Sequence, residues 1–325
     1  MSVAYDARTA SQAGALRFHQ LTPVIGAEVT GIDLREELDA ETVAGLREGL
    51  LKHKVLFFRD QPISDAEQVR FTRYFGPVTP GHPISNGIEE QPEIYPRNLS
   101  KSRDEYKSFG VSVEHPLRSA RRAHAGRGWH IDITFVANPA AISVLRGLEI
   151  PETGGDTLFV NLEALYDGLS PALRTFVDGL RAIHTRDDAA NGRPPKPRFD
   201  GRTPGPFASL HPLVRVHPET GKKVLFLSGF IQAIDGLRGS ESSALLDLLS
   251  QELTGRQDLQ ARFRWTKDSI AVWDNRAVAH AGPIDGAFIQ GERIVHRTTV
   301  GGDLPVGPDG FVSHPLVGDL FNTIS

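Results

Sequence analysis

The short stretch GWHIDITF, residues 128–135, places a histidine and an aspartate two positions apart among β-branched neighbours. In a β-strand the side chains of residues i and i+2 point to the same face. His130 and Asp132 can therefore present an imidazole and a carboxylate to one point, and both groups bind metal ions. An HxD pair also arises often by chance, so a hydrogen-bonded surface couple is the alternative.

A third ligand is available in the segment AVWDNRAVAHAG, where His280 follows an apolar strand and a turn-like WDNR. Two histidines and one carboxylate form the facial triad of non-haem Fe(II) proteins, which leaves three coordination positions open. The same donors suit Zn2+ with an activated water, so a zinc-dependent hydrolase is a second interpretation. The chain contains no cysteine, which excludes disulfides, thiolate metal sites and cysteine nucleophiles.

Two arginines lie four residues apart in GERIVHRTTV. On a strand, Arg293 and Arg297 share one face, with Val295 between them. Two guanidinium groups on an inner face need anionic partners, because burying unpaired charge is costly. Beside a metal triad they predict receptors for carboxylate-like or sulfonate-like groups, which arginine binds in a bidentate manner. A solvated face is the alternative for both, and for Arg297 a structural salt bridge with Asp303 or Glu292.

The elements that must position these residues are many short strands and few helices. Asp39 predicts one helix N-terminus, and Ser64 with Glu67 has the capping-box spacing of a second. Short β-rich segments bounded by turn residues follow one another along the chain: FHQLTPVIGAEVTGIDL, KVLFFRD, ISVLRGL, GDTLFVN, LVRVH, KVLFLS, SIAVWDN and IVHRTTV. This pattern predicts a mainly β protein, a sandwich or barrel with flanking helices.

The composition limits the classes of partner. The 325 residues are 39% hydrophobic, enough for a real core, and 36 basic residues against 40 acidic ones give a net charge of −4. No overall basic field exists to recruit nucleic acid or an anionic membrane, so we expect neither partner. Neither a signal-peptide pattern nor a run of about 18 apolar residues occurs, and the expected location is the cytoplasm.

Two long polar segments interrupt the regular strand spacing, residues 96–128 and 185–210. Loops of this length inside a compact domain are functional lids or mobile insertions. Neither is a convincing linker, because strands on both sides would lose their partners. We therefore expect a single domain over residues 1–325 with these two insertions, and the first insertion leads directly into the HxD pair.

Over nearly its whole length the sequence resembles the TauD/TfdA family of Fe(II)- and 2-oxoglutarate-dependent dioxygenases, which includes taurine dioxygenase and bacterial alkylsulfatases. The motifs that carry the resemblance occur in the family's order: IGAEVTGIDL, HKVLFFRDQ, FGPVTPGHPI, WHIDITF, TGGDTLFVN, HPLVRVHPETGKKVLF, WDNRAVAH and RIVHRTTVGGD. The resemblance implies a double-stranded β-helix, a jelly-roll barrel with helices outside. It also makes a homodimer or homotetramer the expected assembly.

The resemblance implies a role for each candidate residue. His130, Asp132 and His280 match the three iron ligands of the family. Arg293 and Thr157, the latter in GGDTLF, match the pair that binds the distal carboxylate of 2-oxoglutarate.

Two further positions match substrate contacts. Arg297 matches the arginine that holds the sulfonate of taurine, and His82 in GHPI matches another substrate contact. The resemblance implies that, with O2 as cosubstrate, a small anionic metabolite is oxidised while 2-oxoglutarate yields succinate and CO2. Hydroxylation with bond cleavage is compatible with it, and so is biosynthetic hydroxylation, desaturation or dealkylation of an amino acid, nucleotide or other natural-product intermediate. A non-catalytic cupin-like binding protein shares the fold class.

Several departures argue against taurine as the substrate. Ser85 stands where taurine dioxygenase has an aromatic hydroxyl, Gly126 where it has an amide, and Ala189 and Ala190 near a serine and an aromatic residue. The connection between the substrate histidine and the first iron ligand is also longer. Its excess lies in an arginine-rich stretch that could cover a larger or more highly charged substrate, through Arg103, Arg118, Arg121, Arg122 and Arg127.

Overall fold

The computed structural model describes residues 16–98, 128–188, 198–199, 201–202, 204–283, 285 and 288–322. Within them the strands are β1 Arg17–Gln20, β2 Ala27–Thr30, β3 Val55–Phe58, β4 Tyr95–Asn98, β5 Ile142–Glu149, β6 Thr157–Asn161, β7 Arg181–Arg186, β8 Phe207–Pro212, β9 Val214–Val216, β10 Lys223–Leu225, β11 Ile231–Ile234, β12 Gln260–Phe263, β13 Ile270–Asp274, β14 Val278–Ala281, β15 Ile294–Val300 and β16 His314–Val317. The α-helices are α1 Ala40–His53, α2 Asp65–Arg73, α3 Leu162–Asp167, α4 Pro171–Asp178 and α5 Gly239–Gly255, followed by a 3-10 turn at Gln257–Leu259. The prediction of a mainly β protein with flanking helices is confirmed.

The strands form one large sheet and three smaller ones. The large sheet has the order β1-β2-β3-β13-β5-β15-β4, and the smaller ones are β11-β7-β8-β16, β12-β6-β14 and β10-β9. Strands β5, β13 and β15 lie next to one another in the large sheet, although more than 100 residues separate β5 from β13. Such crossovers bring distant sequence motifs onto one sheet surface.

Alternation along β3 shows how the layers pack. Phe57 faces the three-stranded sheet, where its ring stacks on Phe263 with centroids 4.1 Å apart. Phe58 faces the other way and packs with Leu46 and Leu50 of α1. All four residues of β3 are buried, because one face covers the interior between the sheets and the other face lies under helices α1 and α2.

The predicted helix starts are confirmed. The Asp39 carboxylate accepts the backbone N–H of Thr42 at 2.7 Å and caps α1. At α2 the Ser64 hydroxyl accepts the N–H of Glu67 at 3.3 Å, while the Glu67 carboxylate accepts the N–H of Ser64 at 2.6 Å. These bonds satisfy backbone donors that the helix itself leaves unpaired.

The strand predicted for the HxD pair is wrong beyond its first residue. His130 forms an isolated β-bridge with His280, whereas Asp132 lies in a turn and Ile133 has φ +48°. The turn is fixed from outside the segment, because the Ser228 hydroxyl accepts the N–H of Ile131 at 3.2 Å. Local β-propensity is overridden here by a tertiary hydrogen bond.

Most of the first long segment, with its five arginines Arg103, Arg118, Arg121, Arg122 and Arg127, lies outside the described residues, and so do Gly126, Ala189 and Ala190. Of the second segment, residues 185–188, 198–199, 201–202 and 204–210 are described. Here Arg198 donates to the backbone carbonyls of His82 and, at 2.6 Å, Ser85. This part of the segment therefore contacts the loop that carries a predicted substrate residue.

No helix in the described ranges combines the length and the apolar character needed to cross a bilayer.

Candidate metal centre and active site

Three predicted ligands converge at one end of β14. His130, Asp132 and His280 each offer one donor atom, and these atoms all lie within 4.8 Å of one another. The backbones of the two histidines exchange N–H···O bonds of 2.8 Å in both directions, which places their side chains on the same face. Their ring centroids are 4.2 Å apart. The structure thus brings together the three residues that the sequence predicted as metal ligands.

The protonation state of both histidines suits a metal. Burial lowers the pKa of His130 and brings that of His280 to about 3, so both imidazoles are neutral near pH 7. The Nδ1–H of His130 donates to the Gly128 carbonyl at 2.9 Å, which leaves Nε2 with a lone pair. In the described part of the chain, the buried Nδ1 of His280 has no hydrogen-bond partner. The donor set therefore fits Fe(II), which prefers neutral imidazole and carboxylate ligands.

The Asp132 carboxylate is held ionised. Burial alone would raise its pKa, but Arg297, the two histidines and a hydrogen bond from Ser143 together lower the pKa below its ordinary value. The Ser143 hydroxyl donates to Oδ2 at 2.6 Å, and Arg297 donates to Oδ1. Both carboxylate oxygens therefore accept hydrogen bonds that hold the carboxylate in one orientation before any metal binds.

Asn275 connects this carboxylate to the large sheet. Its side-chain amide donates to the Ser143 hydroxyl at 2.8 Å, and its carbonyl accepts the indole N–H of Trp273 at 2.9 Å and the N–H of Asp132 at 3.4 Å. Sequence reasoning noted WDNR only as a turn and missed this role. The signal was present, because an amide that closely follows the apolar run IAVW must find buried partners.

Arg293 and Thr157 both contact the indole of Trp265, a residue that the sequence analysis did not single out. The Arg293 guanidinium donates through Nε to the Gly155 carbonyl at 3.0 Å and lies 5.8 Å from the centre of the Trp265 ring. The Trp265 N–H in turn donates to the Thr157 hydroxyl at 3.0 Å. Because that bond uses a lone pair of the hydroxyl, its hydrogen stays available for an acceptor such as a carboxylate.

The two arginines lie at the start and in the middle of the β15 segment. Arg293 immediately precedes the strand and Arg297 lies within it, while the register shift opposite Ile294 and Val295 skips Leu148 of the partner strand β5. Both side chains still point into the protein, and the solvated-face alternative is wrong for both. The salt bridge of Arg297 is with Asp132.

The alternative salt-bridge partner Asp303 instead accepts from Arg215 at 2.8 Å. The Arg297 guanidinium is therefore paired with one of the metal ligands, and its side chain is only 12% exposed.

His82 and Arg297 both contact the ring of Tyr95. The His82 ring stacks on Tyr95 with centroids 4.7 Å apart, and the guanidinium of Arg297 lies 5.1 Å from the centre of the same ring. Burial, assisted by the nearby arginines, lowers the pKa of His82 well below its usual value. Because its Nδ1 accepts the N–H of Ile84 at 3.2 Å, the neutral ring carries its hydrogen on Nε2.

The family model "Taurine catabolism dioxygenase TauD, TfdA family" matches residues 17–299. An alkylsulfatase of Acinetobacter baylyi is 36% identical over 306 residues, which cover 91% of this chain and 88% of that protein. An alpha-ketoglutarate-dependent sulfate ester dioxygenase of Pseudomonas putida is 35% identical over 315 residues, with 94% and 96% covered.

Among solved structures, that of a putative alpha-ketoglutarate-dependent taurine dioxygenase from Burkholderia xenovorans has a TM-score of 0.78 and 39% sequence identity. It covers 94% of this chain and 96% of its own. The predicted jelly-roll fold is confirmed, and neither the zinc hydrolase nor the binding protein is favoured. Fe(II) is the metal, with 2-oxoglutarate and O2 as cosubstrates. The chain belongs to the TauD/TfdA family of Fe(II)- and 2-oxoglutarate-dependent dioxygenases.

Proposed function

We propose that this dioxygenase oxidises small organic sulfate esters. The observation that carries the proposal is the position of Arg297, a buried cation in contact with the ligand Asp132 and therefore beside the oxidation site. A substrate anchored there by an anionic group exposes its adjacent carbon to the metal. The names of two relatives that span nearly the whole chain support sulfate esters as that anionic class.

His130, Asp132 and His280 would hold Fe(II), and they occupy only three positions of its coordination sphere. Arg293 and Thr157 would anchor the distal carboxylate of 2-oxoglutarate. Bound Fe(II), with 2-oxoglutarate and O2, supplies the oxidant that hydroxylates a C–H bond and leaves succinate and CO2. The residues of the protein contribute position and orientation, which decide which C–H bond is nearest.

Arg297 and the Nε2–H of His82 would bind the sulfate group of the substrate. Hydroxylation of the carbon that bears the sulfate gives R–CH(OH)–OSO3−. Its C–O bond to sulfate breaks as the hydroxyl loses its proton, and the products are an aldehyde and hydrogen sulfate. One sulfate ester, one O2 and one 2-oxoglutarate thus yield one aldehyde, one sulfate, one succinate and one CO2.

A stoichiometric assay tests the proposal. Purified protein receives Fe(II), ascorbate and 2-oxoglutarate with alkyl sulfates, alkylsulfonates including taurine, phosphate esters or carboxylates, and succinate, aldehyde and inorganic sulfate are measured. We expect equimolar release of all three with alkyl sulfates and little stimulation by taurine. Succinate release without aldehyde or sulfate would overturn the proposed substrate class.

Arg297→Ala separates binding of the substrate from the rest of the site. The variant should lose substrate-stimulated succinate formation by about 100-fold, because the sulfate loses its charged partner. Fe(II) and 2-oxoglutarate binding are measured in parallel, since the variant also removes a cation from beside Asp132. Arg238→Ala removes an exposed arginine and serves as the control. A near-normal KM for the sulfate ester would remove Arg297 from the substrate site.

We further propose that residues 1–325 form one domain, that segments 96–128 and 185–210 cover the substrate, and that the protein works in the cytoplasm as a homodimer or homotetramer. The contacts of Arg198 with the His82 loop support the role of the second segment. The net charge of −4 supports the absence of a nucleic-acid or membrane partner. Light scattering of the purified protein tests the assembly.

A further inference from the structure

Tyr95 lies among the groups assigned to the substrate, although no sequence motif pointed to it. It is the direct cross-strand partner of Arg297 in the antiparallel pair β4–β15, so both side chains project from the same face. Its ring is 5.1 Å from the Arg297 guanidinium on one contact and stacks on His82 at 4.7 Å on another. Tyr95 thus bridges the two residues proposed to bind the sulfate group.

The phenolic oxygen of Tyr95 has two polar neighbours. Arg97, two residues along β4, donates through Nη1 to this oxygen at 3.3 Å, and the Ser85 side chain also hydrogen-bonds it. A guanidinium has no acceptor, and the Ser85 bond lowers the pKa of Tyr95, as a bond donated to the phenolic oxygen does, so both contacts leave the phenolic hydrogen available. Although burial opposes ionisation, Arg97 and then Arg297 lower the pKa of Tyr95 below its usual value. The same charges make its O–H a stronger hydrogen-bond donor.

Tyr95 also lies near the metal ligands. Its cross-strand partner Arg297 donates to the ligand Asp132, and the Tyr95 ring lies 5.1 Å from that guanidinium. The phenol is therefore one side chain away from a carboxylate that would hold the metal.

These contacts group three donors: the guanidinium of Arg297, the Nε2–H of His82 and the O–H of Tyr95. A sulfate ester presents three terminal oxygens in a tetrahedral arrangement, whereas a carboxylate presents two oxygens in one plane. We propose that Tyr95 is a specificity-determining residue that binds the third oxygen and so selects tetrahedral oxyanions over carboxylates. The inference rests on the proposed function, since it concerns the same site.

Tyr95→Phe tests the role of the hydroxyl, because it keeps the ring contacts with His82 and Arg297. The anaerobic protein is loaded with Fe(II) and 2-oxoglutarate, and binding of hexyl sulfate, inorganic sulfate and heptanoate is measured by calorimetry. We expect the Kd of hexyl sulfate and of inorganic sulfate to rise about 10- to 100-fold, as for loss of a hydrogen bond to a charged oxygen. The Kd of heptanoate should change less than about threefold.

Tyr166→Phe is the matched control. It also removes one tyrosine hydroxyl, which donates to Asp178 at 2.9 Å, and it should leave all three dissociation constants unchanged. Fe(II) and 2-oxoglutarate affinities measured on the Tyr95→Phe sample verify that the variant is folded. A loss of these affinities would assign Tyr95 a structural role and overturn the inference.

The outcomes separate the inference from the function on which it rests. Unchanged sulfate affinities in Tyr95→Phe, equal losses for sulfate and heptanoate, or no sulfate binding by the wild type each overturn the role of Tyr95. Wild-type protein that binds inorganic sulfate but forms no aldehyde from hexyl sulfate contradicts the proposed function alone. In that case the Kd of inorganic sulfate for Tyr95→Phe still decides whether the hydroxyl binds a tetrahedral anion.

Discussion

The two histidine ligands of this protein are neutral at physiological pH and can therefore bind a metal ion. Burial is the largest cause of the low pKa of His130 and His280, and the neighbouring Asp132 opposes it without reversing it. A proton therefore does not compete with a metal for these nitrogens near pH 7. The ionised carboxylate between them supplies the negative charge that Fe(II) requires.

Loss of any one ligand should abolish activity. His130→Ala, Asp132→Ala or His280→Ala should each weaken Fe(II) binding by more than the roughly 10- to 100-fold that loss of an outer-sphere partner costs, because two protein ligands cannot hold the ion. Anaerobic equilibrium dialysis with Fe(II) measures the effect. His314→Ala removes an exposed histidine on β16 and is the control. Wild-type Fe(II) affinity in one of the three variants would remove that residue from the ligand set.

Arg293 is expected to determine the affinity for 2-oxoglutarate. Arg293→Ala leaves the distal carboxylate without its cation, a loss of about 2–5 kcal/mol that raises the KM for 2-oxoglutarate by tens-fold to thousands-fold. Fe(II) binding without 2-oxoglutarate should stay near the wild-type value. Arg264→Ala, an exposed arginine close in the chain to Trp265, is the control. An unchanged KM would transfer the carboxylate site to another cation.

The Asp132 turn depends on two strands of the large sheet. Ser143 lies in β5 and Asn275 directly follows β13, and these strands are paired along Ile142–Arg146 and Ile270–Asp274. The pairing fixes the distance between the hydroxyl and the amide. The orientation of the carboxylate is thus set by sheet register and not by the loop that carries it.

Ser143→Ala should therefore weaken Fe(II) binding while the fold persists. The change removes the 2.6 Å bond to Asp132 and leaves the Asn275 amide without its acceptor. We expect a loss of about 10- to 100-fold in Fe(II) affinity, as for other outer-sphere partners. Ser250→Ala, which removes a buried hydroxyl that has no hydrogen-bond partner among the described residues, is the matched control. Equal Fe(II) affinity in both variants would show that Asp132 keeps its orientation without the Ser143 hydroxyl.

Elements with local signals were predicted well from the sequence. The capped starts of α1 and α2 depend on residues within three positions of each other, and short β-rich runs such as KVLFFRD became strands. The HxD segment failed as a strand because its turn depends on Ser228, almost 100 positions away. The extra residue of β5, Leu148, was equally invisible, since nothing in ISVLRGL marks it.

Across the whole molecule, the metal ligands were predictable because their residue types are rare together and the family motifs supply their order. Trp265 and Tyr95 were not, because their roles come from contacts with residues such as Thr157, 108 positions distant, and from the cross-strand register of β4 with β15. An indole or a phenol in a sequence carries no sign of whether it will line a site or fill a core.

Buried neutral histidines also join the four-stranded sheet to the metal turn. His211 of β8 donates from Nε2 to the Thr134 carbonyl at 2.8 Å, and His184 of β7 bonds the Thr134 hydroxyl through Nδ1 at 2.9 Å. Burial lowers the pKa of His211 to about 4 and that of His184 well below its usual value. Both rings are neutral in the folded protein over the range in which they would titrate in the unfolded chain.

The stability of the whole protein should depend on pH through His211. Below pH 6.5 His211 binds a proton in the unfolded state, whereas in the folded state it stays neutral down to its pKa of about 4. The free energy of unfolding therefore falls as pH falls through this window. The His211 contribution amounts to about 2 kcal/mol between pH 7 and pH 5. His211→Gln lacks this titration, and although it lowers stability at pH 7, its unfolding free energy should fall by about 2 kcal/mol less than that of the wild type over the same range. Urea denaturation at pH 7, 6 and 5 measures both slopes, with His314→Ala as an exposed-histidine control. Parallel pH dependence of His211→Gln and wild type would show that His211 binds its proton equally in both states.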